Sequence, residues 1–266
     1  MDIMSILFVG AIVGAVGIII GLLLGVAGEK FKVEVDEKEV LVRECLPGNN
    51  CGGCGYAGCD SLAKAIAAGE APVNGCPVAG AAGAEAIGKV MGVEAEAGER
   101  KVAFVKCAGT CDKANLKYNY YGIQDCRKAA VAPGKGGKTC TYGCMGFGSC
   151  VKACQFDAIH VVNGVAVVDK EKCVACGKCI ATCPNNLIEL IPVSTVSAVQ
   201  CSSHDKGKDV KAACEVGCIG CKACTKVCEA EAITVDNNLA HIDKEKCTKC
   251  GKCAEKCPAK IIRIPQ

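Results

Sequence analysis

The residues able to do chemistry are cysteines, 26 of them in a chain of 266. Most fall in runs of fixed spacing. Cys218-x2-Cys221-x2-Cys224-x3-Cys228 is followed by Cys247-x2-Cys250-x2-Cys253-x3-Cys257-Pro258. The stretch from Cys140 to Pro184 repeats the stretch from Cys214 to Pro258 without a gap, down to the shared segment DKEKC. Cys140, Cys144, Cys150 and Cys154 align with Cys214, Cys218, Cys224 and Cys228. Cys173, Cys176, Cys179 and Cys183 align with Cys247, Cys250, Cys253 and Cys257. Disulfides at this density belong to short secreted chains, and this chain is long. Zinc sites pair two Cys-x2-Cys elements across a longer loop and do not need four-cysteine runs. Runs of this kind hold iron–sulfur cubes, three thiolates from one run and the fourth from the other.

That rule groups Cys218, Cys221, Cys224 and Cys257 around one [4Fe–4S] cluster, and Cys247, Cys250, Cys253 and Cys228 around its neighbour. Between the runs, AITVDNNLAHID reads as strand, two-residue turn, strand; the first copy has AIHVVNGVAVVD, with Asn163-Gly164 as a hairpin signal. The chain therefore resembles the bacterial two-cluster ferredoxin twice over. In the first copy, Cys173, Cys176 and Cys179 with Cys154 form a full set. Its partner has only Cys144, Cys150 and Cys183, because Phe147 stands where the second copy has Cys221. Cys140 is the nearest spare thiol and is placed as the fourth ligand. The alternative is a three-iron cluster with Cys140 free.

Upstream, Cys51-x2-Cys54-x4-Cys59 is followed by Cys76 after one short helix, read as Asp60 to Gly69 with Asp60 or Ser61 as its cap. This block resembles the one-cluster domain of Rnf B subunits and of corrinoid iron–sulfur proteins, which implies Cys51, Cys54, Cys59 and Cys76 as ligands. Cys45 lies outside the motif and is read as a spare buried cysteine. Cys107, Cys111, Cys126, Cys201 and Cys214 have no ferredoxin spacing. VKCAGTCDK near Cys107 and VQCSSHDKG near Cys201 look loosely alike. Cys107, Cys126, Cys201 and Cys214 are the first choice for one further cluster, with Cys111 as substitute; a structural role for these cysteines is the competitor. The total is then about six cubes, with iron as the only metal. His160, His204 and His241 are isolated and read as ordinary strand or loop residues.

These sites need small lobes to hold them, and metal binding itself supplies folding free energy there. The fold class expected is α+β: an N-terminal transmembrane helix, a small one-cluster domain and two tandem ferredoxin-like lobes. The boundaries are 1–28 for the anchor, 29–44 for a tether and 45–92 for the one-cluster domain. Residues 93–139 form a linker with extra cysteines, 140–192 the first lobe, 193–213 a connector and 214–266 the second lobe. Ile3 to Gly28 carries no charge and is long enough to cross a bilayer. A signal peptide would have a basic start and a shorter apolar run. Gly10, Gly14, Gly17, Gly21 and Gly25 allow another membrane helix to approach, although glycine is common in such helices anyway. Lys30, Lys32 and Arg43 follow the span, which places the N-terminus outside and the cluster domains in the cytoplasm of a single-pass cell-membrane protein. Phe31 to Arg43 alternates apolar and charged residues and reads as a strand-like tether. Ala79 to Arg100 reads as a helix and then an exposed hinge at Glu94, Glu96, Glu99 and Arg100.

A net charge of +3 gives no reason to invoke nucleic acid. No strand-coupled G-x-G-x-x-G offers a nicotinamide site, and no nucleophile–base pair offers bond chemistry. No catalytic residue is assigned to this chain. Span, one-cluster block and paired lobes together resemble the family of Rnf B subunits, in its longer clostridia-type form, over essentially the whole chain. The resemblance implies an electron-transfer subunit of an ion-translocating ferredoxin:NAD+ oxidoreductase. It would take electrons from reduced ferredoxin and pass them through its clusters to other membrane subunits, coupled in the complex to Na+ or H+ translocation and NAD+ reduction. The alternatives are a membrane-anchored polyferredoxin of another redox complex such as a hydrogenase, or a docking or assembly module with structural clusters. The C-terminal lobe carries Lys244, Lys246, Lys249, Lys252, Lys256, Lys260 and Arg263 against Asp243, Glu245 and Glu255, whereas its twin is balanced. An acidic ferredoxin would be steered to the basic lobe.

Overall fold

The computed structural model describes residues 3–30, 36–95, 98–195 and 197–263, with the side chains of 3–9, 11 and 29 outside that description. Helix α1 spans Ile3–Lys30. Its apolar side chains, such as Ile18, Leu22 and Leu24, stay about two-thirds exposed, so this chain supplies them no cover. The described uncharged side chains run unbroken only from 12 to 28. Among the described residues no helix is long and apolar enough to cross a membrane. The span read from Ile3 to Gly28 therefore lies partly outside them.

The tether departs from expectation. Its later part is helix α2, Glu37–Cys45, not strand. Asp36 caps it by accepting from the Lys38 N–H at 2.9 Å, Glu37 and Glu39 sit in its first turn and Arg43 in its last. The alternating pattern misleads because only one face is used. Val42 is fully buried and Leu46 nearly so, while Val40 and Leu41 are about half exposed. Helix α3, Cys59–Ala67, and helix α4, Gly80–Met91, complete this unit. Val42, Leu62, Ile66 and Ile87 form its core together with Cys59 and Cys76. Neither Asp60 nor Ser61 caps α3. Gly58 holds that position, and Asn50 Oδ1 accepts from the Cys59 N–H at 2.8 Å, while Asp60 is drawn into an ion pair with Arg43. Helix α4 ends on Gly92 at φ +70°. Cys45 is half-buried against this core rather than fully buried.

Strand β1 spans Lys101–Val105. Of the hinge residues, Glu96 lies outside the described residues, and Arg100 is exposed but not free. Its guanidinium donates to the carbonyls of Lys170 and Glu171, at 2.6 and 3.1 Å. After β1 come the short helices α5, Cys126–Val131, and α6, Ser149–Ala153. The first hairpin is β2, Ile159–Val162, with β3, Val165–Val168. Asn163 and Gly164, at φ 46° and 75°, make its two-residue turn. Helix α7, Lys178–Thr182, and strand β4, Ile188–Pro192, close the first repeat. Strand β5, Ala198–Val199, and helix α8, Gly207–Ala213, lead to the second hairpin, β6, Ile233–Asp236, with β7, Leu239–Ile242. Helix α9, Lys252–Lys256, and strand β8, Ile262–Arg263, end the described chain.

The lobes are larger than the sequence repeat. β4 pairs antiparallel with β1, Lys101 opposite Pro192 and Val105 opposite Ile188. In the same way β8 pairs with β5, Ala198 opposite Arg263. Each repeat thus draws in a strand from the segment before it. Val102, Phe104, Ile159, Leu187 and Ile191 fill the first lobe, and Ile233, Ile242, Ile261 and Ile262 the second, each around its own cysteines.

Candidate metal centres

The extra strands deliver cysteines. β1 runs straight into Lys106 and Cys107, and β5 into Gln200 and Cys201. The two junctions are equivalent. The Lys106 N–H donates to Leu187 O at 2.7 Å, and the Gln200 N–H to Ile261 O at 2.8 Å. Each delivered sulfur then accepts from the first cysteine of its lobe's motif. The Cys144 N–H donates to Cys107 Sγ and the Cys218 N–H to Cys201 Sγ, both at 3.3 Å.

Cys107, Cys140, Cys201 and Cys214 line one cavity between the lobes. This is a paired set: Cys107 and Cys140 from the first repeat, Cys201 and Cys214 from the second. Gly109 and Gly143 leave room beside it. A Cβ on Gly143 would meet Cys107 Sγ and Cys140 Sγ at 3.5 Å, and one on Gly109 would meet Cys214 Sγ at 3.3 Å. Burial, followed by backbone N–H donors that act in the opposite sense, pushes the thiols of Cys140, Cys201 and Cys214 up.

This set differs from the expected one by an exchange. Cys140 does not join Cys144, Cys150 and Cys183, and Cys126 does not join Cys107. Cys126 instead lies beside Cys150, whose thiol is pushed up to about 12, by burial first and then by Cys144, Cys126 and Cys183. A small network pins it there. The Cys126 N–H donates to Ser149 Oγ at 2.7 Å, and Ser149 donates to Asp125 at 2.8 Å. Asp125 in turn caps α5 through the Arg127 and Lys128 N–H groups. Ser149 and Lys128 hold its carboxyl below the usual range. The sequence carried one sign of the exchange, the alignment of Cys140 with the unassigned Cys214. Cys111 is exposed and takes part in neither set; its N–H donates to Asn163 O at 2.9 Å.

Cys154, Cys173, Cys176 and Cys179 line one cavity, and Cys218, Cys221, Cys224 and Cys257 another. Burial pushes Cys179 and Cys224 up to about 11. Cys228, Cys247 and Cys253 share the second lobe's core, with Cys250 at the exposed edge. In the N-terminal unit Cys54 and Cys59 lie close to Cys76, whose thiol burial pushes up. Cys51 reaches across to Cys176, and Gly53 lies so close that a Cβ there would come within 2.8 Å of the Cys176 carbonyl oxygen.

The donor chemistry fits cubes. Sulfurs are shared soft ligands, and backbone N–H groups point at several of them. Ala103 donates to Cys173 at 3.3 Å, Ala158 to Cys154 at 3.4 Å and Ala232 to Cys228 at 3.3 Å. Such hydrogen bonds tune cluster potential. Among the described residues no three Cys, His, Asp or Glu side chains converge on a point suited to a single ion. His160 contacts Asp157, and His204 contacts Asn237 and the ring of Tyr142.

Fold and ligand sets together define a multi-cluster electron carrier of ferredoxin type. Family models agree segment by segment. An Fe-S cluster model (FeS) matches residues 46–78, the LdpA Fe-S cluster-binding domain 149–194 and the 4Fe-4S dicluster domain 217–261. The chain is 46% identical to the B subunit of the Na(+)-translocating ferredoxin:NAD(+) oxidoreductase complex of Acetobacterium woodii, over 94% of this chain and 75% of the relative. It is 47% identical to the B subunit of the ion-translocating oxidoreductase complex of Methanosarcina acetivorans, over 96% of both. It is 40% identical to the B subunit of the proton-translocating ferredoxin:NAD(+) oxidoreductase complex of Clostridium ljungdahlii, over 97% of this chain and 92% of the relative. The chain belongs to the family of B subunits of ion-translocating oxidoreductase (Rnf) complexes.

Proposed function

We propose that this chain takes electrons from reduced ferredoxin and hands them to membrane subunits of an Rnf complex, where their passage to NAD+ is coupled to Na+ or H+ translocation. When bound, the clusters supply one-electron reduction and reoxidation, and about six cubes fit the thiols present. Cys51, Cys54, Cys59 and Cys76 would hold one. Cys154, Cys173, Cys176 and Cys179 would hold the next, and Cys126, Cys144, Cys150 and Cys183 a third. Cys107, Cys140, Cys201 and Cys214 would hold the one between the repeats. Cys218, Cys221, Cys224 and Cys257, then Cys228, Cys247, Cys250 and Cys253, would hold the last two.

One observation supports this reading: the proposed ligand sets are joined in series by close contacts. Gly53 packs on Cys176, Cys144 donates to Cys107, and Cys218 donates to Cys201. The deciding experiment is iron and sulfide analysis of the complex purified anaerobically from membranes, with reduction by ferredoxin followed optically. About 24 irons per chain are expected at four per cube. About 20 would return the site between the repeats to a structural role, and clusters that ferredoxin leaves oxidised would overturn the electron-transfer reading.

The two ends of the series differ, and this supports an entry point in the C-terminal lobe. Cys176 is covered by the N-terminal unit, whereas its counterpart Cys250 is exposed, in a stretch of sequence that also carries Lys246, Lys249 and Lys256. Lys252 is already paired with Glu229, and Lys244 with Glu189. Reversing Lys249 and Lys256 to Glu should slow reduction by an acidic ferredoxin, most at low ionic strength, because exposed charges are screened beyond about 8–10 Å near physiological salt. Equal rates at low salt would remove the docking site. Helix α1 is proposed as the single membrane anchor, with the clusters on the cytoplasmic side. Deleting residues 1–28 should give a soluble chain that keeps its iron. A truncated chain that still pellets with stripped membranes would be attached by another surface.

A further inference from the structure

The site between the repeats is built symmetrically from four thiols but not from its charges. Two charged side chains line it, Lys106 and Lys138. Lys106 is ion-paired with Glu189, 3.4 Å away, a carboxylate it shares with Lys244. Lys138 is not ion-paired. It is 9% exposed, and its Nζ donates to Gly109 O at 2.7 Å and Gly164 O at 2.8 Å, both neutral carbonyls. Among the described residues no carboxylate pairs with it. In the repeat alignment the second copy has Ala212 at this position. One buried, uncompensated ammonium therefore stands on the first repeat's side of the site.

Its placement reaches two ligand sets. Gly109 belongs to the loop after Cys107, and Gly164 to the hairpin turn over Gly146, next to the motif of Cys144. Lys138 thus sits between the central thiols and Cys144.

We propose that Lys138 is the charge-compensating residue of the central site and of the adjoining Cys144 site, raising the reduction potentials of the clusters they hold. A cube on four thiolates carries net negative charge and gains more on reduction. A fixed cation nearby therefore favours the reduced form, and a low-dielectric surrounding strengthens the effect. The two flanking sets along the series are lined by less buried lysines, Lys178 and Lys222, whose charge water screens, and would sit lower. The inference rests on the reading that Cys107, Cys140, Cys201 and Cys214 hold one cluster.

The test is a redox titration followed by electron paramagnetic resonance, on the full chain purified anaerobically, comparing wild type with Lys138→Gln, Lys138→Met and Lys138→Arg. Iron content is measured in each. Lys138→Gln keeps a donor for one carbonyl and removes the charge. The expected result is a downward shift of two cluster potentials in both neutral variants, the others unchanged, and recovery in Lys138→Arg. Unchanged potentials with full iron would overturn the proposal, as would a uniform shift of all clusters. Loss of iron in both neutral variants would assign Lys138 to holding the two loops together and also overturn it. A wild-type chain with one cube too few, and no further loss in Cys201→Ser, would instead defeat the ligand assignment on which the inference rests.

Discussion

In the second repeat, Cys221 stands inside its motif and is exposed. In the first, the aligned Phe147 packs against Tyr120, ring centroids 5.1 Å apart, and Cys126 comes in from α5 to stand beside Cys150. Tyr120 and Cys126 belong to a region the second repeat lacks: the segment between Cys111 and Cys140 lies over the first motif, and in the proposed assignment it supplies the sulfur that the motif has lost. A ligand set is thus kept as a position in space, not as a spacing in sequence. The same comparison explains the central site. Each repeat contributes one cysteine after its extra strand and one before its motif, so the site exists only where the two copies meet.

The largest effect should come from breaking that shared site. Cys140→Ser and Cys201→Ser should each remove one cube, about four irons per chain. The double variant should lose no more than either single one, because residues acting as one unit are not additive. Iron analysis decides it, and additive losses would place Cys140 and Cys201 in separate clusters. An intermediate effect is expected from the exchanged ligand. Cys126→Ser should disturb the cluster of the Cys144 set alone, seen as loss of one electron paramagnetic resonance signal. Adding Phe147→Cys should restore it by rebuilding the arrangement of the second repeat. A Cys126→Ser chain that keeps every signal would sink the exchange.

The smallest expected effect is in the backbone. Gly146 and Gly220 are aligned, at φ +81° and +63°, and both lie under a hairpin turn. A Cβ on Gly146 would come within 2.7 Å of Gly164 O, and one on Gly220 within 3.0 Å of Asn238 O. Alanine at either position costs about 1–3 kcal/mol, as left-handed strain does generally. Gly146→Ala should lower the thermal midpoint of the loaded protein more than Gly220→Ala, since the closer backbone contact must also give way. The reverse order would show that the first lobe is the more compliant.

Much of this was legible in the sequence. The ferredoxin runs, the hairpins at Asn163-Gly164 and Asn237-Asn238, and the one-cluster block depend on local spacing and turn chemistry, which a linear pattern records. The α2 helix was hidden because FKVEVDEKEVLVR alternates like a strand, and only packing of Val42 and Leu46 against α3 and α4 selects the helix. The cap of α3 was missed because Asn50 reaches it from an earlier loop. The likeness of VKC near Cys107 to VQC near Cys201 was visible, but its meaning was not. It needed β1 to pair with β4 and β5 with β8, contacts between segments far apart in the chain.

The sequence by itself determined that this is an iron–sulfur protein with two ferredoxin repeats, because thiolate runs at fixed spacing have few other uses. Tertiary structure alone decided that Cys126 rather than Cys140 stands with Cys150, and that Cys140 faces Cys107, Cys201 and Cys214. The reason is physical: ligands within a run are fixed by a few backbone dihedrals, whereas ligands drawn from four separate segments are fixed only by how strands, hairpins and buried side chains pack.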